Sequence, residues 1–303
     1  MSILIDAETT FIIQGITGRE AVNMTRECLG YGARIVGGVT PGRKGRDVYG
    51  VDVYDTVRQV TDKVHVDGAV VAVPAPFARD AVFEAVEAGI KLVVVVTERI
   101  PRGEVVQMIE LAQMRGARII GPNCLGIISP GKTKMGGIGG TAGDTNKAFS
   151  AGPIGVMSRS GGMTTEISNA LTAAGLGQST AVSIGGDAII GSTYADLMPL
   201  FEADSDTQAI VIYSEPGGPM EAQLAEYITT RERSRPLPVV AFMAGRFMDT
   251  MPGMRFGHAG TIIEGNADTA AEKIRRLREA NISVAEEISQ IPVLIKERLK
   301  EMP

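Results

Sequence analysis

The chain has 303 residues, 44% of them hydrophobic, and a net charge of −5, which predicts two domains with ordinary cores. It has no cluster of lysines and arginines that resembles a nucleic-acid-binding patch, and no apolar stretch long enough to cross a bilayer. The amino terminus lacks a signal-peptide pattern, so we expect a cytoplasmic protein without nucleic-acid or membrane contacts. Cys28 and Cys124 are too far apart in sequence to suggest a disulfide framework or a zinc site.

The first 120 residues alternate short apolar runs with amphipathic stretches. The predicted strands are Thr10–Ile16, Ala33–Val39, Gly68–Pro74, Leu92–Val96 and Arg118–Ile120. Helical patterns lie between them, for example at Arg19–Leu29 and Ala78–Ala88. Buried β-branched runs that alternate with helices are typical of a parallel sheet with helices on both faces, so we predict an α/β domain over residues 1–121.

The loop after the first predicted strand has the composition of a phosphate site. Gly15 and Gly18 allow a tight turn, and Thr17 followed by Glu20 is a capping-box pattern at a helix start. The free N–H groups and positive dipole end of such a helix bind anions. From these residues alone, an ordinary strand-to-helix turn is an equal alternative.

The next loops argue against a nicotinamide dinucleotide. The sequence fingerprint of a nicotinamide-dinucleotide site needs a third glycine and an acidic residue about 20 positions further on. Here a basic, glycine-rich loop that contains Arg43 stands in that place, which favours a ligand with a phosphate near its ribose, such as CoA. A solvated basic turn is the alternative. Pro74, Pro76 and Phe77 form either an apolar wall for an adenine ring or pantetheine arm, or a simple strand end.

A second series of strands and helices follows a glycine-rich linker over residues 122–152. We predict a loop over residues 131–150, which are rich in Gly and Thr. The second domain, residues 153–303, has predicted strands at residues 153–157, Thr180–Ile184, Ala209–Tyr213 and Val239–Met243. Its predicted helices are Gly162–Ala174, Tyr194–Glu202, Pro219–Arg231, Thr269–Ala280 and Ala285–Glu301.

The second domain contains the more informative of the two histidines. His258 lies between small residues, and a neutral imidazole is a competent nucleophile that forms a phosphoramidate reversibly. By this pattern alone a structural role is more common, and for His65, beside a predicted strand start, we expect a structural or surface role. The loops at the ends of the other strands favour chemistry: a helix starts at Ser160, and Glu215 can orient an imidazole. Together these loops suggest a phosphoryl-transfer site.

At this point the chain resembles the α subunit of succinyl-CoA synthetase and its relatives over nearly its whole length. The matching stretches are Gln14–Gly18, Val36–Gly42, Val73–Phe77, Gly121–Cys124, Ser158–Gly161, Ile184–Asp187 and Gly257–Gly260. The resemblance implies a Rossmann-like CoA-binding domain followed by a flavodoxin-like parallel α/β domain. It also implies that a small carboxylic acid becomes an acyl phosphate, that CoA displaces the phosphate, and that His258 carries the phosphoryl group to or from a nucleotide.

The resemblance assigns further roles residue by residue. It implies CoA contacts at Thr17, Gly18, Arg19, Glu20, Arg43, Val96, Thr97 and Glu98. It implies that Glu215 orients His258, and that the helix starting at Ser160, Gly161 and Gly162 stabilises the phosphohistidine. In the family, Mg-ATP or Mg-GTP binds to an ATP-grasp β subunit, so an αβ or α₂β₂ assembly is expected, with no metal on this chain. A noncatalytic CoA-binding regulatory module is the alternative.

The departures from the family pattern cluster where the acid is expected to bind. Leu125 stands where the family commonly has proline, Thr165 replaces an aromatic residue, and Gly162 is an added glycine. Arg43 replaces the usual lysine, and a guanidinium is not geometrically equivalent to an ammonium group. The Ser160–Met163 run, Phe256 before the histidine motif and the longer glycine-rich linker resemble ATP-citrate lyase and citryl-CoA synthetase. Succinate is therefore the default acid, and the pocket favours a variant such as malate, citrate or sulfoacetate.

Overall fold

The computed structural model describes residues 2–233, 235–254 and 256–301. Arg255, beside the histidine loop, therefore lies outside the described residues, as do residue 1 of the first predicted domain and residues 302–303 of the second. The described chain forms two seven-stranded sheets, each packed between helices. Within these ranges no helix is both long and apolar enough to span a membrane.

The first sheet is built from the first seven strands of the chain. They are β1 (Thr10–Gln14), β2 (Arg34–Val39), β3 (Asp47–Val48), β4 (Val51–Tyr54), β5 (Gly68–Val71), β6 (Leu92–Val95) and β7 (Arg118–Ile120). The helices of this part are α1 (Arg19–Gly30), α2 (Arg58–Thr61), α3 (Ala78–Glu87) and α4 (Arg102–Met114). The spatial order β3-β4-β2-β1-β5-β6-β7 is the Rossmann arrangement with the short antiparallel strand β3 added at one edge.

Burial explains why this sheet is visible in the sequence. All residues of β5 and β6 are buried, because helices cover both faces of the sheet and leave no solvent-facing side. α1 packs one face through Ala21, Met24 and Cys28. The predicted Rossmann-like α/β fold of this half is confirmed.

The second sheet comprises seven further strands. They are β8 (Gly126–Ser129), β9 (Thr133–Met135), β10 (Ala151–Ser158), β11 (Gln178–Ser183), β12 (Ala209–Ser214), β13 (Val239–Met243) and β14 (Ser283–Ala285). Its helices are α5 (Ala142–Ala148), α6 (Gly161–Ala173), α7 (Tyr194–Ala203), α8 (Met220–Thr230), α9 (Ala270–Glu279) and α10 (Ile291–Lys300). The five parallel strands run β11-β10-β12-β13-β14, the flavodoxin-like order, so that prediction is also confirmed.

Two sequence-based predictions in this half are wrong. The loop predicted over residues 131–150 contains β9 and α5. β8 joins the second sheet as an antiparallel strand on β11, and β9 pairs antiparallel with β8 at the edge. The sequence did not predict β9 because a lysine such as Lys134 normally indicates an exposed position. In the structure Lys134 is buried, and its ammonium group donates to the carbonyls of Ile138 and Gly140. The final helix, predicted over Ala285–Glu301, begins only at Ile291 because Ser283–Ala285 pairs with β13 as strand β14.

Candidate active site at the carboxyl ends of the two sheets

Each sheet has one point where its strand order reverses beside its first parallel strand. In the first sheet this point lies between β1 and β5, and in the second it lies between β10 and β12. Open α/β sheets bind ligands in the crevice that such a reversal creates beyond the strand ends. Thr17 and Pro74 flank the first crevice, and Ser160 and Glu215 flank the second.

The loop after β1 ends in an open helix terminus. Gly15 has a φ of 84°, and a Cβ there would lie 2.7 Å from the carbonyl oxygen of Ala72. Gly18 is the N-cap of α1, and no side chain caps it. The predicted capping box is wrong: Thr17 precedes the N-cap and its hydroxyl donates to Thr40 over 3.3 Å, so Thr17 cannot cap the helix.

Glu20 lies in the first turn of α1, but among the described residues no side chain caps the helix. Glu20 forms an exposed ion pair with Arg19 at 3.4 Å instead of reaching back to the cap. The amides at this 12-residue helix start, with the positive end of the helix dipole, suit a phosphate group.

The basic loop after β2 is held by an acidic residue. The amides of Gly42, Arg43 and Lys44 donate to Asp55 Oδ1 over 2.8, 3.1 and 3.2 Å. This carboxylate fixes the backbone of the loop, while the Arg43 side chain remains exposed. Arg43 is therefore available to a ligand at the edge of the first crevice.

The loops after β5 and β6 connect the first crevice to the second sheet. Thr97 Oγ1 donates to the carbonyl oxygen of Val73 over 2.7 Å, and the amide of Asn123 donates to the carbonyl oxygen of Thr97 over 3.0 Å. Pro74 and Glu98 are exposed beside these bonds, and Val96 is half-buried. The residues predicted to contact CoA thus lie along one edge of the first sheet.

His258 and Glu215 form a hydrogen-bonded pair at the second crevice. His258 Nδ1 lies 2.8 Å from Glu215 Oε2, with the imidazole 28% and the carboxylate 10% exposed. The imidazole lies against Gly186, where a Cβ would come within 2.6 Å of ring atoms Cγ and Cδ2. The Thr261 hydroxyl donates to the carbonyl oxygen of His258 over 2.7 Å and so fixes the loop on its other side.

Lys273 of α9 binds the backbone of Glu215, a role that the sequence did not reveal. Its ammonium group is buried and donates to the carbonyl oxygens of Glu215 and Gly217 over 3.0 and 2.6 Å, and to Glu221 over 2.6 Å. Burial, and next the nearby Glu215 carboxylate, raise the pKa of Tyr213 well above its usual value. Glu215 is thus held in a fixed position beside a tyrosine that stays protonated.

The start of α6 forms a third part of the site. Ser160 is its N-cap and accepts from the amide of Met163 over 3.4 Å. A Cβ on Gly161 would lie 2.2 Å from Leu125 Cγ, so the loop before β8 packs directly on the helix start. Gly162 is exposed and Thr165 is half-buried on the next turn of α6. In the described part of the chain, the side-chain hydrogen bond of His258 goes to Glu215 and not to this helix.

A cavity of about 410 Å³ lies between the two crevices. It is lined by Glu98 from the first sheet and by Gly257 and Ala259 on both sides of His258. Asn123 and Asp187 also line it, and Asn123 Nδ2 donates to Asp187 Oδ1 over 2.9 Å. Among the described residues, no group of three His, Cys, Asp or Glu side chains could hold a metal ion.

Two family models match the chain. One is described as a CoA binding domain and covers residues 6–99; the other is described as a CoA-ligase and covers residues 157–283. A succinate–CoA ligase [ADP-forming] α subunit of Archaeoglobus fulgidus is 45% identical over 99% of this chain and 100% of its own length. The corresponding subunit of Aquifex aeolicus is 41% identical over 99% and 95%.

Solved structures show the same fold at lower identity. ATP citrate lyase of Methanosaeta concilii, in complex with (3S)-citryl-CoA, matches with a TM-score of 0.89 and 22% identity over 98% of this chain. The match covers 50% of the lyase chain, so this chain spans about half of that protein. A dinucleotide-forming acetyl-coenzyme A synthetase of Ca. Korarchaeum cryptofilum matches with a TM-score of 0.73 and 20% identity over 98% of this chain and 61% of its own.

Proposed function

The chain belongs to the family of succinate–CoA ligase α subunits, and from this premise we propose that it is the CoA-binding, phosphoryl-carrying subunit of a succinate–CoA ligase. The observation that carries the proposal is the pairing of His258 with the buried carboxylate of Glu215 at the switch point of the second sheet. A regulatory module without catalysis would have no need of this pair, which leaves the noncatalytic alternative without support.

The first crevice is the proposed CoA site. The uncapped start of α1 offers amides to a pyrophosphate, and the exposed Arg43 offers a guanidinium group to a further phosphate. The exposed Pro74 gives an apolar surface, and Val96, Thr97 and Glu98 lead toward the cavity beside His258. A thioester formed in that cavity would lie next to the histidine loop.

In the proposed reaction His258 acts as the phosphoryl carrier. Its Nε2 lone pair forms a bond to the γ-phosphorus of the nucleotide, and the bond from that phosphorus to the leaving oxygen breaks, releasing the nucleoside diphosphate. The acid carboxylate then takes the phosphoryl group from Nε2 to give an acyl phosphate. The CoA thiolate attacks the acyl carbon and phosphate leaves. Throughout, Glu215 accepts the Nδ1–H hydrogen bond and fixes the tautomer of the ring.

The nucleotide requires a second protein chain in this proposal. The described residues offer no cluster of acidic side chains that could hold a metal ion for a nucleotide. The relatives carry the name of an α subunit, and we propose an ATP-grasp β subunit as the partner, which would bind Mg-ATP or Mg-GTP in an αβ or α₂β₂ assembly.

Succinate is the proposed acid, in line with the names of the relatives. Leu125 packed on Gly161, the exposed Gly162 and the half-buried Thr165 would line its pocket at the start of α6. A panel of acids, offered to the reconstituted pair with CoA and with ATP or GTP, tests this assignment through release of ADP or GDP. Malate, citrate or sulfoacetate as the best substrate would replace succinate and leave the reaction class unchanged.

Thr165→Tyr tests the pocket within the same panel. A tyrosine ring at this position should reduce the space for acids larger than succinate and raise the relative kcat/KM for succinate. Glu166→Gln, on the exposed face of the same turn, is the matched control and should keep the original acid profile. An unchanged profile in Thr165→Tyr would remove Thr165 from the pocket.

A further inference from the structure

Arg159 follows β10 directly, and its side chain is almost completely buried, with the residue 1% exposed. Its Nη2 donates to the carbonyl oxygens of Gly186 and Asp187 over 3.3 and 3.1 Å. Its Nε and Nη1 atoms are buried without a hydrogen-bond partner. Among the described residues no carboxylate forms an ion pair with it. A buried guanidinium with two unused nitrogens is costly for stability, which points to a functional reason for its presence.

The guanidinium group lies between the two backbone segments that position His258. A Cβ on Gly260 would come within 2.1 Å of Nη2, so the histidine loop runs directly over the arginine. The amide of Gly260 donates to the carbonyl oxygen of Gly186 over 3.2 Å, the same oxygen that accepts from Arg159. Because the His258 ring packs on Gly186, Arg159 is linked to the imidazole through the Gly186 backbone.

The positive charge of Arg159 also lies near the charges of the site. The Glu215 carboxylate and the Arg159 guanidinium both act on the hydroxyl of Tyr213, in opposite directions. Lys273, the other buried cation here, is matched by an ion pair with Glu221 at 2.6 Å. A phosphoryl group on His258 would bring further negative charge next to Glu215. Arg159 is then a buried cation available to offset it.

We propose that Arg159 is a positioning residue for phosphoryl transfer, which locks the Gly186 and His258 loops together and offsets the charge of the phosphohistidine. The inference rests on the function proposed above. When Nε2 of His258 binds phosphorus and the leaving oxygen departs with its electron pair, the Nδ1 proton stays on the bond to Glu215. The loop that gains the negative charge packs on the fixed guanidinium group through Gly260, and this cation requires no reorganisation during the step.

The test measures single-turnover phosphorylation of the subunit by radiolabelled ATP in the reconstituted pair, without acid or CoA. Arg159→Met should slow labelling by roughly 100-fold, the size of effect expected when one preorganised donor is removed from a charge-stabilising site. In a separate steady-state assay the KM for CoA should stay within about twofold, because a residue that acts on phosphoryl transfer at the second crevice leaves CoA binding at the first intact. Arg159→Lys should recover part of the rate, since it keeps the charge without the planar fork.

Arg235 provides a matched control at the other edge of the same sheet. Among the described residues, its guanidinium group donates to the backbone carbonyls of Glu202, Asp204 and Thr207. Arg235 lies just before β13 begins. Arg235→Met should lower the melting temperature by removing a similar clamp while the labelling rate per folded subunit stays normal. Rates are normalised to the folded fraction from melting curves, so that loss of fold and loss of chemistry are separated.

Two results would overturn the role of Arg159 and leave the proposed function standing. One is a wild-type labelling rate in Arg159→Met, and the other is a rate loss no greater than that of Arg235→Met. In both cases the wild-type subunit still forms phosphohistidine, and the proposed function stands. A wild-type subunit that takes no label on His258 would refute both the function and the role of Arg159.

Discussion

His258 Nδ1 and Glu215 Oε2 are 2.8 Å apart, and this hydrogen bond determines which ring nitrogen is available for chemistry. A carboxylate that accepts this bond favours the ring tautomer with its proton on Nδ1 and its lone pair on Nε2. The ammonium group of Lys273 donates to the backbone carbonyl oxygen of Glu215. This bond fixes the backbone that carries the carboxylate.

Glu215→Gln is expected to keep the shape of this pair and remove its charge. The rate of phosphohistidine formation should fall by about 10²- to 10³-fold, within the usual range for removing a proton-managing group. The melting temperature should change little, because Lys273 still binds the backbone carbonyl at position 215. Single-turnover labelling and a melting curve measure the two effects, and a rate within threefold of wild type would show that the carboxylate is not needed.

Gly186→Ala is expected to displace the imidazole. The new Cβ would lie 2.6 Å from Cγ and Cδ2 of His258, too close for a carbon contact, so the ring must leave its present position against Gly186. We expect at least a tenfold slower phosphorylation, because a small misplacement of a reacting group is costly in rate.

Gly265→Ala is the control for this substitution. The residue at position 265 lies in the same region, has an extended backbone with a φ of −161°, and has open space where a Cβ would stand. It should label at the wild-type rate. Equal rates in the two alanine variants would mean that the contact with Gly186 does not position the histidine.

Arg43→Ala is expected to weaken CoA binding without changing turnover. The side chain is exposed, so its ion pair with a phosphate should be worth up to about 1 kcal/mol, or roughly a fivefold rise in the KM for CoA. The KM for dephospho-CoA should be the same in wild type and variant. If the variant loses equal affinity for CoA and for dephospho-CoA, Arg43 does not contact the phosphate that dephospho-CoA lacks.

The two cysteines give a prediction about pH. Burial raises the pKa of Cys28 to about 11 and that of Cys124 to about 12. Both thiols keep their protons in the folded state over a pH range where the unfolded chain loses them, so stability is retained below about pH 9 and falls above it. Each thiol contributes a slope of at most about 1.4 kcal/mol per pH unit.

The difference between wild type and a Cys28→Ala, Cys124→Ala double variant isolates this effect from the buried tyrosines. The free energy of unfolding, measured with urea between pH 7 and pH 10.5, should diverge between the two proteins only above pH 9, with wild type losing more. Parallel curves over the whole range would contradict the burial of these thiols.

The sequence predicted the buried strands and the two crevices at the strand ends. Strands such as Leu92–Val95 are apolar throughout because helices cover both faces, and glycines at strand ends indicated the two crevices. The pair His258 and Glu215 was predicted from loop composition and from the family resemblance, and the structure brings the two side chains together.

Other features have no local signal in the sequence. Lys134, Arg159 and Lys273 are buried cations, and a charged residue in a sequence predicts an exposed position unless its partners are known. Arg159 and Lys273 bond to backbone carbonyls of segments that are distant in sequence, which only the folded chain brings near. Lys134 bonds to the nearby carbonyls of Ile138 and Gly140, which depends on how the backbone turns after β9. The capping box failed for a related reason: one residue of helix start decides whether Thr17 caps α1 or bonds to Thr40.

The central claim is that His258 carries the phosphoryl group. The most direct measurement is mass spectrometry of the subunit after incubation with its β partner and Mg-ATP, under neutral conditions that preserve phosphoramidates. We predict one acid-labile phosphate on the peptide that contains His258, and none in His258→Ala. An intact wild-type pair that turns over acid and CoA without this modification, or a phosphate that persists in His258→Ala, would contradict the account.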